Sequence, residues 1–152
     1  MSFFNTLNIS ASGLAAQRVR MDLHAQNLAN VETTRTHEGG PYQRRAAIFE
    51  ERDPFNTTRQ SFAQVIANAV RSGRGGGGVR VHSIMTDDTP GPMTYDPHHP
   101  DADANGYVHR PNVNVIAEMT NMISASRSYE ANVTAMGVTQ AMMQRTLDIA
   151  SR

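Results

Sequence analysis

The side chains best suited to chemistry crowd into one short stretch. Asp101, Asp103, Asn105 and Gly106 stand at the spacing with which the first half of an EF-hand loop offers oxygen ligands to calcium, the glycine permitting the sharp turn. The second half is missing. Its twelfth position, where a bidentate glutamate closes the site, is Asn112, and Pro111 stands where the second helix enters. The stretch reads instead as an Asx-rich turn.

His98 and His99, beside Asp96, Asp101 and Asp103, supply the imidazoles and carboxylates that zinc-assisted hydrolysis uses. Adjacent histidines in a proline-flanked loop do not converge on one metal, no HExxH run is present, and His24, His37, His82 and His109 are scattered. Gly73, Gly75 and Gly78 match a dinucleotide-binding spacing, but they follow a helix-like run and precede a strand, the reverse of the order that aims backbone amides at phosphate. They read as a flexible connector. No Walker loop or GxSxG elbow occurs. The residues therefore assign no catalytic group, no cofactor and no metal. A metal-dependent hydrolase is the alternative reading; it requires the loop at 96–109 to hold calcium or zinc, which elemental analysis of the purified protein decides.

The elements that must position these residues are mostly helical. Of 152 residues, 39% are hydrophobic and 6% aromatic, with no tryptophan, so the apolar material is Ala, Val, Ile, Leu and Met, suited to helix seams. Fourteen arginines, with no lysine, balance fourteen acidic residues. That zero net charge lacks the electrostatic footprint of a nucleic-acid or anionic-membrane partner. There is no cysteine, and no run is apolar and long enough to cross a bilayer. Residues 2–17 carry no charge and are broken throughout by Ser, Asn, Thr and Gln, unlike the basic start and apolar stretch of a secretory signal. If the protein leaves the cytoplasm, the expected route involves no cleaved signal peptide.

Apolar residues alternate at three and four positions from Phe4 through Leu7, Ala11, Leu14, Met21, Ala25 and Leu28, with Arg18 the polar exception. Asn27, Asn30, Thr33 and Thr34 then favour a helix end near Asn30. The same alternation runs through Val115, Met119, Met122, Ser126, Tyr129, Val133, Met136, Gln140, Met143, Leu147 and Ala150 without an internal proline. Asn112 and Asn114 offer acceptors for its first amides, and Glu118 lies in the opening turn, where the helix dipole favours an anion. A helix over 115–150 spans about 54 Å. That exceeds what a small globule buries, so part of its seam is expected to meet another chain.

Between the helices, Ala46–Phe49 and Val79–Met85 read as strands, Asn105-Gly106 as a hairpin turn, and Phe62, Val65, Ile66, Ala69 and Val70 as one face of a short helix near 59–72. The expected organisation is an N-terminal helix and turn at 1–35, a β/loop segment with an inserted helix at 36–111, and a long helix at 112–152. The fold class is mainly α with a small β-hairpin-rich middle, the terminal helices packed as a coiled coil. The assembly seam expected from periodicity comprises Leu7, Leu14, Met21 and Leu28 with Met119, Met122, Val133, Met136, Met143 and Leu147; Leu14, Met21 and Leu28 are expected to pack on Met122, Val133 and Met136, within the subunit or between neighbours.

Two stretches carry more than periodicity. ASGLAAQ at 11–17 with AQNLANVET at 25–33 resembles the signature shared by rod and hook proteins of the bacterial flagellar axis. YDPHHPDADANGYVHRPNVNV at 95–115 and EMTNMISASRSYEANVTAM at 118–136, with PYQRRAAIF at 41–49, resemble the basal-body rod family, proximal rod, FlgC type. The motif positions are Asn27, Leu28, Ala29 and Asn30, then Asp103, Asn105, Gly106, Asn112 and Asn114. The resemblance implies a non-enzymatic subunit of the periplasm-spanning rod, exported by the flagellar type III apparatus and transmitting torque from rotor to distal rod and hook. It implies as partners copies of the chain, other rod proteins and the rotor-ring base, and no small-molecule substrate. A free-standing coiled-coil adaptor or another axial protein shares the terminal seams. Residues 51–78 depart from the family pattern; Phe62, Val65 and Ile66 are expected to pack on a neighbouring rod subunit or on a surrounding ring.

Overall fold

A computed structural model describes residues 3–52 and 77–151. The helix expected near 59–72, and with it Phe62, Val65 and Ile66, lies outside the described residues. Helix α1 covers Phe3–Ala29 and helix α2 covers Val115–Ala150, joined through strands β1 (Arg44–Glu51), β2 (Val79–Asp87), β3 (Met93–Tyr95) and β4 (Tyr107–His109).

Both helices start or stop where local chemistry requires. The α1 spiral closes when Asn30 donates its backbone N–H and its side-chain Nδ2 to the Gln26 carbonyl, and Thr33 donates to the Asn30 carbonyl. Asn114 caps α2: its Oδ1 accepts from Ala117 N at 3.1 Å, and its carbonyl accepts the first helical bond, from Glu118 N. Along α2, Thr120, Thr134, Thr139 and Thr146 each donate their hydroxyl to the carbonyl four residues back, so these β-branched residues cost the helix no unpaired polar group.

Strands β1 and β2 form one two-stranded sheet, and β3 pairs antiparallel with β4 in another, Met93 opposite His109 and Tyr95 opposite Tyr107. The strands expected at Ala46–Phe49 and Val79–Met85 are present and longer. The hairpin differs from expectation. Asn105-Gly106 is not a two-residue turn between strands but the end of a connection spanning residues 96–106. Asp103 folds that loop, its Oδ1 accepting from Asn105 N at 2.8 Å and from Tyr107 N at 2.9 Å. Gly106, at φ +80°, donates to the Asp103 carbonyl and closes the turn in the left-handed region that favours glycine.

The chain divides into two compact units. The first comprises Met1–Arg18, Phe49–His82 and Arg127–Arg152, the second Val19–Ile48 and Ser83–Ser126. In each, a segment of α1 packs on a segment of α2. In the first unit Ala16 is buried and Gly13 lies against Asn132, so close that a Cβ at 13 would meet Asn132 Nδ2 at 3.0 Å. In the second, Leu23, Tyr42, Val108 and Ala125 form a small apolar core around three buried polar side chains, His24, Asn27 and Glu118.

Candidate functional site

Among the described residues the largest fully buried side chains are polar, and both belong to the second unit. Glu118 is 1% exposed and Asn27 is fully buried. Burial of a carboxylate is costly unless every lone pair finds a donor, and here the donors converge from two elements. From α1, His24 Nδ1 lies 2.6 Å and Asn27 Nδ2 3.0 Å from Glu118 Oε2. From β1, Arg44 Nε lies 2.6 Å from Oε1. Burial pushes the Glu118 carboxyl upward, but the bonds from Asn27, His24 and Arg44, with the Arg44 charge, outweigh it and hold the group below the ordinary carboxylate value.

Asn27 uses the full capacity of its amide. Nδ2 donates to Glu118 and to the Arg45 carbonyl at 2.8 Å, while Oδ1 accepts from Arg45 N and from the Tyr42 hydroxyl, each at 2.9 Å. Both main-chain groups of Arg45 thus pair with one side chain on α1, as they would with a neighbouring strand. Asn112 does the same further along: its Oδ1 accepts from Arg44 N and its Nδ2 donates to the Asp87 carbonyl, both at 3.0 Å, tying β1, β2 and the approach to α2. Burial raises the Tyr42 hydroxyl pKa against the lowering effect of Arg45, whose guanidinium lies 5.8 Å from the ring centroid; the Glu118 charge adds to the rise. The phenol stays protonated and able to donate.

A smaller fastening serves the first unit. Ser12 Oγ donates to the Ile9 carbonyl at 2.7 Å and accepts from Val79 N at 3.1 Å, joining α1 to the start of β2. Gly78, at φ +86°, makes this possible: a Cβ there would lie 2.2 Å from Ser12 Oγ.

The loop that looked chemical at first sight is used up internally. Asp103 is committed to backbone amides, which hold its carboxyl below the ordinary value, the bond from Tyr107 contributing most. Asp101 accepts from Thr34 Oγ1 at 2.7 Å. Among the described residues no group of three or more His, Asp or Glu is placed to hold a metal ion.

The expected seam residues divide. Leu7, Leu14, Met21, Leu28, Met122, Met136 and Met143 are half-buried, while Met119, Val133 and Leu147 are exposed. The inward lines run beside these: Ile9, Gly13 and Ala16, then Leu23 and Asn27 on α1, one or two positions from the expected seam, with Glu118, Ala125 and Asn132 on α2, each one position before it. Apart from Ile9 and Leu23, small and polar residues occupy these lines, and they let the helix backbones approach, leaving larger side chains to flank the contact. Among the motif residues, Asn27 and Asn112 enter the network, Asn30 and Asn114 end and begin helices, Leu28 is half-buried, Ala29 and Asn105 are exposed, and Asp103 with Gly106 builds the turn. Sequence reasoning missed the roles of His24, Arg44 and Glu118. The available signal was His24 and Asn27 three residues apart on one face of an amphipathic helix, with a lone acid opening the other.

Comparison with known proteins bears on what such a scaffold serves. Residues 7–35 match the family described as flagella basal body rod protein, and residues 104–149 match the flagellar basal body rod FlgEFG protein C-terminal family. His24 and Asn27 fall in the first match and Glu118 in the second. The chain is 44% identical to the flagellar basal-body rod protein FlgC of Bacillus subtilis, over 98% of this chain and 99% of the relative. It is 44% identical to that of Borreliella burgdorferi and 38% to that of Salmonella typhimurium, in each case over 98% of both chains.

Proposed function

Because this chain belongs to the FlgC family of flagellar basal-body rod proteins, we propose that it is a proximal-rod subunit that packs with copies of itself and other rod proteins, stands on the rotor-ring base, and passes torque to the distal rod and hook. It reaches the periplasm through the flagellar type III apparatus. Torque transmission needs stiffness rather than chemistry, and the reading assigns the chain no catalysis.

The observation that carries the assembly reading is the set of large apolar side chains that α2 leaves exposed, Ile116, Met119, Ile123, Val133, Val138, Met142, Leu147 and Ile149. Ile116 and Ile149 are 77% and 78% exposed. A helix this apolar on its open side has lost part of its hydrophobic stabilisation until another surface covers it. The polar network supplies the complementary requirement, a fastening of α1, β1 and α2 that holds the second unit's shape under load.

Deleting the gene and isolating basal bodies tests the reading. Swimming should stop, and complementation with a tagged copy should place the protein in the rod fraction. Complete rods in its absence, or a tagged protein confined to the cytoplasm, overturn it.

A further inference from the structure

The helix faces left open in one chain complement each other in size and charge. On α1 an exposed line runs Ala11, Ala15, Arg18, Asp22, Ala25, Ala29, alternating by four and three residues. On α2 an exposed line runs Met119, Ile123, Arg127, Glu130, Val133. None of the four charged side chains takes part in an ion pair among the described residues. Laid antiparallel so that Arg18 faces Glu130, the two lines also set Asp22 against Arg127, Ala25 against Ile123, Ala29 against Met119 and Ala15 against Val133. Each large side chain then meets an alanine, and each charge meets its opposite.

The register is defended on both sides. A slip of one turn in one direction brings Asp22 onto Glu130, and in the other brings Arg18 onto Arg127, both like-charge contacts. A parallel arrangement satisfies only one charge pair at a time. Within the chain the helices already use other faces, through His24 and Glu118 in one unit and Gly13 and Asn132 in the other, so the partner for each open line is another molecule.

We propose that the exposed line of α2 in one copy seats antiparallel on the alanine-rich line of α1 in the next copy, in the register that pairs Arg18 with Glu130 and Asp22 with Arg127. The inference rests on the assembly reading above and adds its residue-level contact. Two different surfaces meet, so the contact is head-to-tail: every copy retains one open line of each kind, and all copies point the same way, as an open filament requires.

The absence of cysteine makes the test clean. Ala25→Cys combined with Ile123→Cys, oxidised in isolated basal bodies, should give a ladder of dimers and larger products on a non-reducing gel. The ladder should be at least about tenfold stronger than from Ala25→Cys with Val138→Cys, because effective concentration depends on geometry. A monomer linked only to itself, or equal ladders from both pairs, overturns the proposal. Swimming cells with no ladder overturn it and leave the rod assignment standing, since that assignment fails only if rods form without the chain. A charge exchange decides the matter if the cysteine pair itself stops assembly. Arg18→Glu and Glu130→Arg should each reduce swimming, and the double exchange should recover at least about half of the loss; singles without effect, or a double no better than the singles, refute the pairing.

Discussion

Glu118 Oε2 lies 2.6 Å from Nδ1 of His24, a hydrogen bond across a sequence separation of 94 residues between the first turn of one terminal helix and the last turns of the other. The pair is buried, and the remaining carboxylate oxygen is taken by Arg44. Its physical consequence is asymmetry: the network adds modestly to stability when complete and costs heavily when one member is lost.

Glu118→Leu removes the acceptor and leaves His24, Asn27 and Arg44 with unused donors. The expected loss is about 3–5 kcal/mol, the scale for breaking a buried pair from one side. It is read as a shift of the urea midpoint at unchanged slope. A loss below about 1 kcal/mol, the scale of an exposed pair, would show that the network is not a fastening.

Asn27→Asp is nearly isosteric, yet it sets a second carboxylate beside Glu118 and removes the donors to Glu118 and the Arg45 carbonyl. At neutral pH it should destabilise more than Asn27→Ala, for which the unpaired Arg45 amide and Tyr42 hydroxyl predict about 1–3 kcal/mol. Acidification should narrow the gap between the two variants as the new acid takes a proton. A gap independent of pH contradicts the proposed like-charge contact.

The depressed Glu118 carboxyl ties stability to pH in a definite sense. Its folded pKa lies below its unfolded one, so its contribution is complete above the unfolded carboxylate value and is lost as pH falls through the folded value. Denaturation midpoints should therefore drop below the ordinary carboxylate range, and Glu118→Gln, already weakened at neutral pH, should show a shallower drop. Parallel pH profiles for the two proteins would remove Glu118 as a cause.

Gly78→Ala meets two obstacles, a positive φ and the Ser12 hydroxyl 2.2 Å from the new Cβ. A loss of about 1–3 kcal/mol is expected. Ser12→Ala relieves part of the clash while losing the bond to Val79 N, so the double variant should lie well short of the sum of the singles. Strict additivity would mean that the two residues do not meet.

The sequence by itself determined the elements and the family. Helix α1 stops beside Asn30, and α2 begins after Asn114, because those side chains satisfy backbone groups within four residues, a local effect that needs no fold to be read. The middle strands followed from equally local alternation, and the stretches at 11–33 and 95–136 carried the rod-family resemblance that near-full-length identity to FlgC proteins supports. What only the tertiary structure decided is which line of each helix faces inward. Periodicity marked Met119 and Val133, the apolar members, as seam without deciding whether that seam closes inside one chain; within the chain it is the line of Glu118 and Asn132, one residue earlier, that turns inward. A single position turns a helix by roughly 100°, and the choice rested on donors supplied by His24, Asn27 and Arg44 from distant parts of the chain. Glu118 is tolerable inside only once those groups have gathered around it, so its burial was a property of the assembled fold and not of any local window.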